Sequence, residues 1–324
     1  MKAIVCTKYG SPEVLQLKEM KKPLPANNEV LIKVAVASVT AADTMIRRGT
    51  PFYGRFFLGL MRPKYPIPGT GFAGEVEAAG AKVSRFKKGD TVFGETGLGF
   101  SAHAEYVCLS EESVMTTLPG NMSYEEAAPV CDGALTSWSF LKDIGKIRRG
   151  QRVMIYGASG SLGSAAVQIA RHFGAEVTGV CSTANVDMVK SLGADQVIDY
   201  TLSDFTKNSQ TYDIIYDTVG KSSFSRCKAS LSRNGVYLSP VLSLPLLLQM
   251  LLTAKFGSKK AKFSATGIRP TTELRLLLDE LKEKIEAGKI KSIIDRRYCI
   301  DQVAEAHRYI DTGRKKGNVI LAMR

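Results

Sequence analysis

Three histidines (103, 172 and 307) and six widely spaced cysteines are all that 324 residues supply of the imidazole and thiolate side chains that usually hold zinc. The cysteines, at 6, 108, 131, 181, 227 and 299, form no C-x-x-C pair and no zinc spacing. That excludes zinc-ribbon sites and a disulfide scaffold, and it predicts free thiols in a reducing compartment. No signal peptide is read at the start, so the expected location is cytoplasmic. Long apolar runs are also missing. The longest, 241–254, contains Pro245 and falls short of the roughly twenty residues that a membrane-crossing helix needs. Acidic residues are few: 31 against 44 Lys and Arg, a net charge of +13. The basic residues are spread out and accompany no nucleic-acid motif, so they predict a surface that attracts an anionic cofactor, not a nucleic-acid groove. With 44% hydrophobic and 23% charged residues, the chain reads as folded and globular, long enough for two domains.

What is present is a glycine turn between a strand and a helix. Apolar residues 153–156 lead into Gly157, Gly160 and Gly163, and a helix pattern follows over 165–173. This order sets unpaired backbone N–H groups at a helix N-terminus, where they hold phosphate. Gly157 permits the turn, Gly160 allows backbone to approach a pyrophosphate, and Gly163 allows the helix to lie close to the strand. The spacing is G-x-x-G-x-x-G, and small residues at such a turn also serve packing alone. The surroundings favour the nucleotide. Strand patterns at 175–181, 196–200, 212–219 and 235–239, with a helix pattern at 187–192, predict parallel βαβ units and a doubly wound dinucleotide-binding sheet.

The second strand ends Val180-Cys-Ser-Thr-Ala-Asn185, with no carboxylate before Asp187. Ser182, Thr183 and Asn185 offer donors to a 2′-phosphate that an acidic residue would repel, so NADPH is expected. The same residues suit a helix cap, and both roles can hold together. The cofactor candidates of the loop and strand ends are Gly157, Ser159, Gly160, Ser161, Leu162, Gly163, Ser182, Thr183, Asn185 and Val219.

The first third is different. Short strand patterns at 2–6, 29–36, 72–79 and 91–93, separated by Gly and Pro turns, predict a β-rich domain. Residues 49–68 carry four prolines among aromatics and read as a long loop over a site. Ser123 followed by Glu126 has capping-box form. Towards the C-terminus, 271–288 reads as an amphipathic helix with leucines at 274, 277, 278 and 281. A strand near 293–300, a helix over 301–311 and a strand over 318–322 follow. The run 241–254 reads as a buried helix or a subunit contact. With Lys255, Lys259, Lys260 and Lys262 behind it, a peripheral membrane contact through 241–262 is the other reading.

Several motifs together resemble the zinc-independent medium-chain dehydrogenase/reductases of the quinone oxidoreductase branch. They are Gly10-Ser-Pro-Glu-Val-Leu15, Gly69-Thr-Gly-Phe-Ala-Gly-Glu-Val76, Phe86-Lys-Lys-Gly-Asp-Thr-Val-Phe93 and Ala102-His-Ala-Glu-Tyr106, with the glycine loop, Leu192-Gly-Ala-Asp-Gln-Val-Ile-Asp-Tyr200 and Gly317-Asn-Val-Ile-Leu321. The resemblance spans essentially the whole chain. It implies an α/β fold: a GroES-like β-rich catalytic domain from 1–123 and 270–324, a Rossmann domain over 124–269, and commonly a homodimer. It adds Thr136, Tyr200, Lys316 and Asn318 to the cofactor set. Zinc-dependent relatives carry ligands at positions that read here Asp43, Gly69-Thr70-Gly71 and Cys131-Asp132, so no metal site is expected. The family's usual Asn and Tyr around Asp43 are Thr40 and Met45 here, which leaves Thr40, Asp43 and Tyr53 as catalytic candidates; Asp43 suits helix capping equally well.

Without zinc to ionise an alcohol, the expected acceptors are already electron-poor: quinones, enones and enals. The competing expectation is a membrane- or partner-associated protein that binds NADPH with little turnover.

Overall fold

The computed structural model describes residues 1–264 and 269–323. Its chain divides into one unit of Met1–Asp132, Gly267–Glu286 and Ser292–Arg324, and a second of Gly133–Thr266 and Ala287–Lys291. Residues 265–268 and 324, which fall within the expected domain ranges, lie outside the described residues.

In the first unit, β1 (Lys2–Cys6) and β2 (Leu15–Glu19) form an antiparallel ribbon. β3 (Glu29–Val39) is longer than its apolar pattern suggested, because Ala37 to Val39 continue into the pairing that completes the sheet. It precedes α1 (Ala41–Arg48) and α2 (Arg55–Leu58). Then come β4 (Gly71–Ala79), β5 (Thr91–Glu95), β6 (Tyr106–Ser110), β7 (Met115–Thr117) and α3 (Tyr124–Ala127). Ser123 and Glu126 cap α3 reciprocally, as the spacing predicts. π-Helical turns at Cys131–Leu135 and Ser139–Ile144 flank α4 (Thr136–Trp138).

The second unit is built on β8 (Arg152–Tyr156), α5 (Ser161–His172), β9 (Glu176–Cys181), α6 (Val186–Ser191) and β10 (Gln196–Asp199). The chain continues through β11 (Tyr212–Asp217), α7 (Phe224–Cys227), β12 (Leu231–Ser239), α8 (Leu244–Lys255) and β13 (Lys260–Phe263). All six strands are parallel, in the order β10-β9-β8-β11-β12-β13. The winding direction reverses between β8 and β11, the switch point where such sheets bind nucleotides. Met154, Val180, Ile215 and Tyr237 form part of its core.

One sequence expectation needs correction here. The run 241–254 does carry a helix, α8, from Leu244, but it is not buried: of its side chains only Leu246 is, while Leu244, Leu248, Leu251 and Leu252 are each at least 60% exposed. The lysine-rich run behind it contains β13, an edge strand in which half-buried Lys260 and Lys262 flank buried Ala261.

The chain then returns to the first unit with α9 (Thr271–Glu286), which buries the expected leucines, β14 (Ile294–Cys299), α10 (Val303–Asp311) and β15 (Asn318–Ala322). The main sheet runs β14-β15-β3-β4-β5-β7, with β6 also paired to β3. Ile32, Phe72, Val76, Met115 and Leu321 lie in its core.

Candidate active site

Each glycine of the 157–163 turn has its own reason. Gly157 has φ +81°, and a Cβ there would fall 2.2 Å from Val219 Cγ2. A Cβ on Gly163 would meet the Gly157 carbonyl oxygen at 2.0 Å. Gly160 differs: its φ of −81° suits any residue, and the nearest atom to a Cβ would be 3.6 Å away. Nothing in the protein needs that glycine to be bare; the space in front of it is open. Gly160 is also the N-cap of α5, and no side chain caps that helix. The N-terminus of such a helix suits an anionic acceptor. These features fit a dinucleotide pyrophosphate.

Ser159, Ser182 and Asn185 come together beside the loop. Asn185 Nδ2 donates to Ser159 Oγ and to Ser182 Oγ, each at 3.1 Å, and its buried Oδ1 has no partner among the described residues. Such an orphaned acceptor suits a ligand hydroxyl or a bound water. Thr183 is differently placed from the expectation. Its hydroxyl donates to Asp199 Oδ2 at 2.5 Å, so it is committed within the fold. Asp199 also accepts from Thr201, and these hydrogen bonds, that of Thr183 foremost, hold its carboxyl below the usual range. A carboxylate therefore does stand at this edge, supplied by β10 and not by β9. Tyr200, the next residue, is exposed.

Val219 follows β11 and is 43% exposed; its N–H donates to Asp217, a fully buried carboxylate that also accepts from Gly220, Ser222 and the Tyr237 hydroxyl. Ser161 and Leu162 open α5, and Ser137 Oγ donates to the Leu162 carbonyl at 2.8 Å, tying α5 to the helix that carries Thr136. Lys316 and Asn318 belong to the first unit. The Lys316 N–H donates to Asp295, and Asn318 donates to the Ile293 carbonyl at 3.1 Å.

The catalytic candidates are divided. Thr40 and Asp43 make a capping box on α1: Asp43 N–H donates to Thr40 Oγ1 at 3.1 Å, while Thr40 N–H and Oγ1 donate to Asp43 Oδ2 at 2.8 and 2.7 Å. The Thr40 proton is thus already given away, and the helix-cap reading is the one the geometry satisfies. Tyr53 lies on the short turn before α2, 41% exposed.

A polar cluster in the first unit escaped the sequence reading. Asp132 accepts from Ser38 and, at 2.8 Å, from Thr70 Oγ1. Removal from water, and then the charge of Asp43, pushes the Asp132 carboxyl up to about 6. Burial, with Asp132 beside it, pushes Glu95 up to about 7. Loss of water lowers the nearby Lys315 ammonium to about 8, and it donates to the Gly317 carbonyl. Gly71 is bare because a Cβ would lie 2.4 Å from Asp132 Oδ2 and 2.5 Å from Ser38 Oγ. The signal available beforehand was the acidic residue in Cys131-Asp132-Gly133, which drew notice only as a metal-ligand position.

The donors at those positions do not suit zinc. Asp132 spends both oxygens on hydroxyl groups, Asp43 spends Oδ2 on the α1 cap, and burial raises the Cys131 thiol well above its ordinary value. Among the described residues no three His, Cys, Asp or Glu side chains are grouped to hold a metal ion.

Residues 26–135 match the family described as alcohol dehydrogenase GroES-like domain, and residues 192–321 that described as zinc-binding dehydrogenase. The chain is 31% identical to 2-methylene-furan-3-one reductase of Solanum lycopersicum, covering 99% of this chain and 79% of that one. It is 32% identical to quinone oxidoreductase of Sus scrofa, covering 100% and 98%. The chain belongs to the medium-chain dehydrogenase/reductases of the quinone oxidoreductase type. The Escherichia coli quinone oxidoreductase, solved in complex with NADPH, shares its fold with a TM-score of 0.86 and 26% identity over 99% of this chain and 100% of that one. Membership in this family makes the chain an oxidoreductase with a nicotinamide cofactor, and the family's GroES-like and Rossmann-like folds are those of the two units.

Proposed function

We propose that this family member is an NADPH-dependent reductase that passes hydride to a quinone or an α,β-unsaturated carbonyl without zinc. The observation that carries this reading is the exchange at the metal-ligand positions: Asp43, held in the α1 cap, Gly69-Thr70-Gly71 and hydrogen-bonded Asp132 stand there in place of a zinc donor set, in a chain whose cofactor loop is intact. Reduced nicotinamide, when bound, supplies the hydride. The residues of this chain do the rest. The open face at Gly160 and the N-terminus of α5 would hold the pyrophosphate, and Ser182 and Asn185 would meet the adenosine ribose. A conjugated acceptor takes hydride at carbon and needs only a hydrogen-bond donor at oxygen, whereas an unassisted alcohol must first lose a proton.

A second reading, NADH, is favoured by Asp199, whose carboxylate opposes a 2′-phosphate. Steady-state oxidation of NADPH and of NADH over a panel of quinones and enones separates the two. We expect NADPH to be preferred about ten- to a hundredfold, the worth of a lost charge-assisted contact. Equal or better use of NADH overturns the cofactor assignment. Faster oxidation of a simple alcohol with NADP overturns the reaction class.

Free cysteines in every described position support a cytoplasmic setting. The exposed leucines of α8, beside the open edge of β13, support pairing of two copies there. Among the described residues no helix is long and apolar enough to cross a membrane.

A further inference from the structure

We propose that residues 52–64 dock the protein on a membrane surface with anionic headgroups. Within ten residues this segment exposes Phe52, Phe56, Phe57, Leu60 and Met61, with Phe57 at 82% and Met61 at 87%. Contiguous apolar exposure of this kind marks an interaction site on a soluble chain. The tip cannot relax by folding away, because its base is pinned. Arg55 lies over the rings of Tyr9 and Phe52, at 4.4 and 5.2 Å, and donates to the Gly49 carbonyl; Tyr9 donates to the carbonyl of Gly59. Arg62 and Lys64 are exposed beside the aromatics. No carboxylate occurs between Asp43 and Glu75.

The charge pattern chooses the occupant. Aromatic and aliphatic side chains flanked by cations suit the boundary between headgroups and acyl chains, with the basic residues left at the phosphates. A second copy on this segment would bring Arg62 and Lys64 against the same cations. The leucines of α8 are also exposed, but the lysines behind them are spent inside the fold: Lys259 donates to the Lys228 carbonyl, Lys260 to that of Thr253 and Lys262 to that of Ile144. That leaves exposed Lys255 as the one lysine of that run with no carbonyl partner among the described residues, against the two exposed cations beside the aromatics of 52–64.

The docking does not depend on the reductase reading, and its test needs no cofactor. The full chain is sedimented with vesicles of phosphatidylcholine, with and without phosphatidylglycerol, at low and high salt. Binding is expected only with phosphatidylglycerol, and weaker at high salt as screening shortens the reach of the charges. Phe56→Asp with Phe57→Asp should lower the partition at least about tenfold and leave thermal stability unchanged, since both side chains are exposed. Arg62→Glu with Lys64→Glu should lower it too and remove its salt dependence. Leu248→Asp with Leu251→Asp should not change it. The proposal is overturned if the wild-type chain stays in the supernatant, if both loop variants bind undiminished, or if light scattering shows that the phenylalanines hold two copies together.

Discussion

Gly160 and Gly163 stand one helical turn apart and respond oppositely to a side chain. Gly160→Val is expected to fold normally, because its backbone conformation is ordinary and its Cβ space is empty, yet to lose at least about a hundredfold in cofactor affinity. Gly163→Ala drives a methyl into the Gly157 carbonyl and should cost about 3 kcal/mol of stability or more. Thermal melts with and without NADPH read both effects; normal NADPH affinity in Gly160→Val would reduce the loop to a packing turn. Glu95 gives a prediction in pH. Its folded pKa of about 7 lies above the ordinary 4.5, so the folded state binds the proton more tightly than the unfolded chain. The stability this contributes is complete below pH 4.5 and is lost as pH rises through 7, about 3 kcal/mol in all. Denaturant titrations between pH 5 and 7.5 should show stability falling with pH, and Glu95→Gln should flatten that slope. An equal slope in the variant refutes the assignment.

At the scale of elements, the cap of α1 is the sharpest test of a catalytic candidate. Thr40→Ala removes the box and should cost about 1 kcal/mol, while Thr40→Ser should keep it. If turnover falls no further than the folded fraction does, Thr40 acts on the helix alone; a larger loss in kcat, rescued by serine, restores it as a donor to substrate. The glycine turn, the alternation of strands and helices and the Ser123 cap were legible in the sequence because each is written within a dozen neighbouring residues. The polar cluster was not, since Ser38, Thr70, Glu95, Asp132 and Lys315 meet only through the pairing of distant strands. Asp199 is not legible beside Thr183 for the same reason: Thr183 follows β9, whereas the carboxylate comes from the neighbouring strand, β10. The orientation of α8 was illegible because its leucines run almost all the way round, so no polar face told the buried side from the open one.

For the whole molecule, two copies joined through α8 would hide those leucines, and Leu248→Lys with Leu251→Lys should then halve the mass seen by light scattering while each copy stays folded. A wild-type protein that is already monomeric removes the basis for that pairing. A different consequence follows from β15, which lies between β14 and β3 in the first sheet although all of the second unit separates it from β3 in sequence. As the chain leaves the ribosome, β8 to β13 have every partner strand they need, but on the edge of β3 that β6 covers over Glu29–Lys33, the stretch Val36–Val39 stays bare until residues 318–322 emerge. During that interval the N-terminal strands are the part of the nascent protein most open to chaperones and to false pairing.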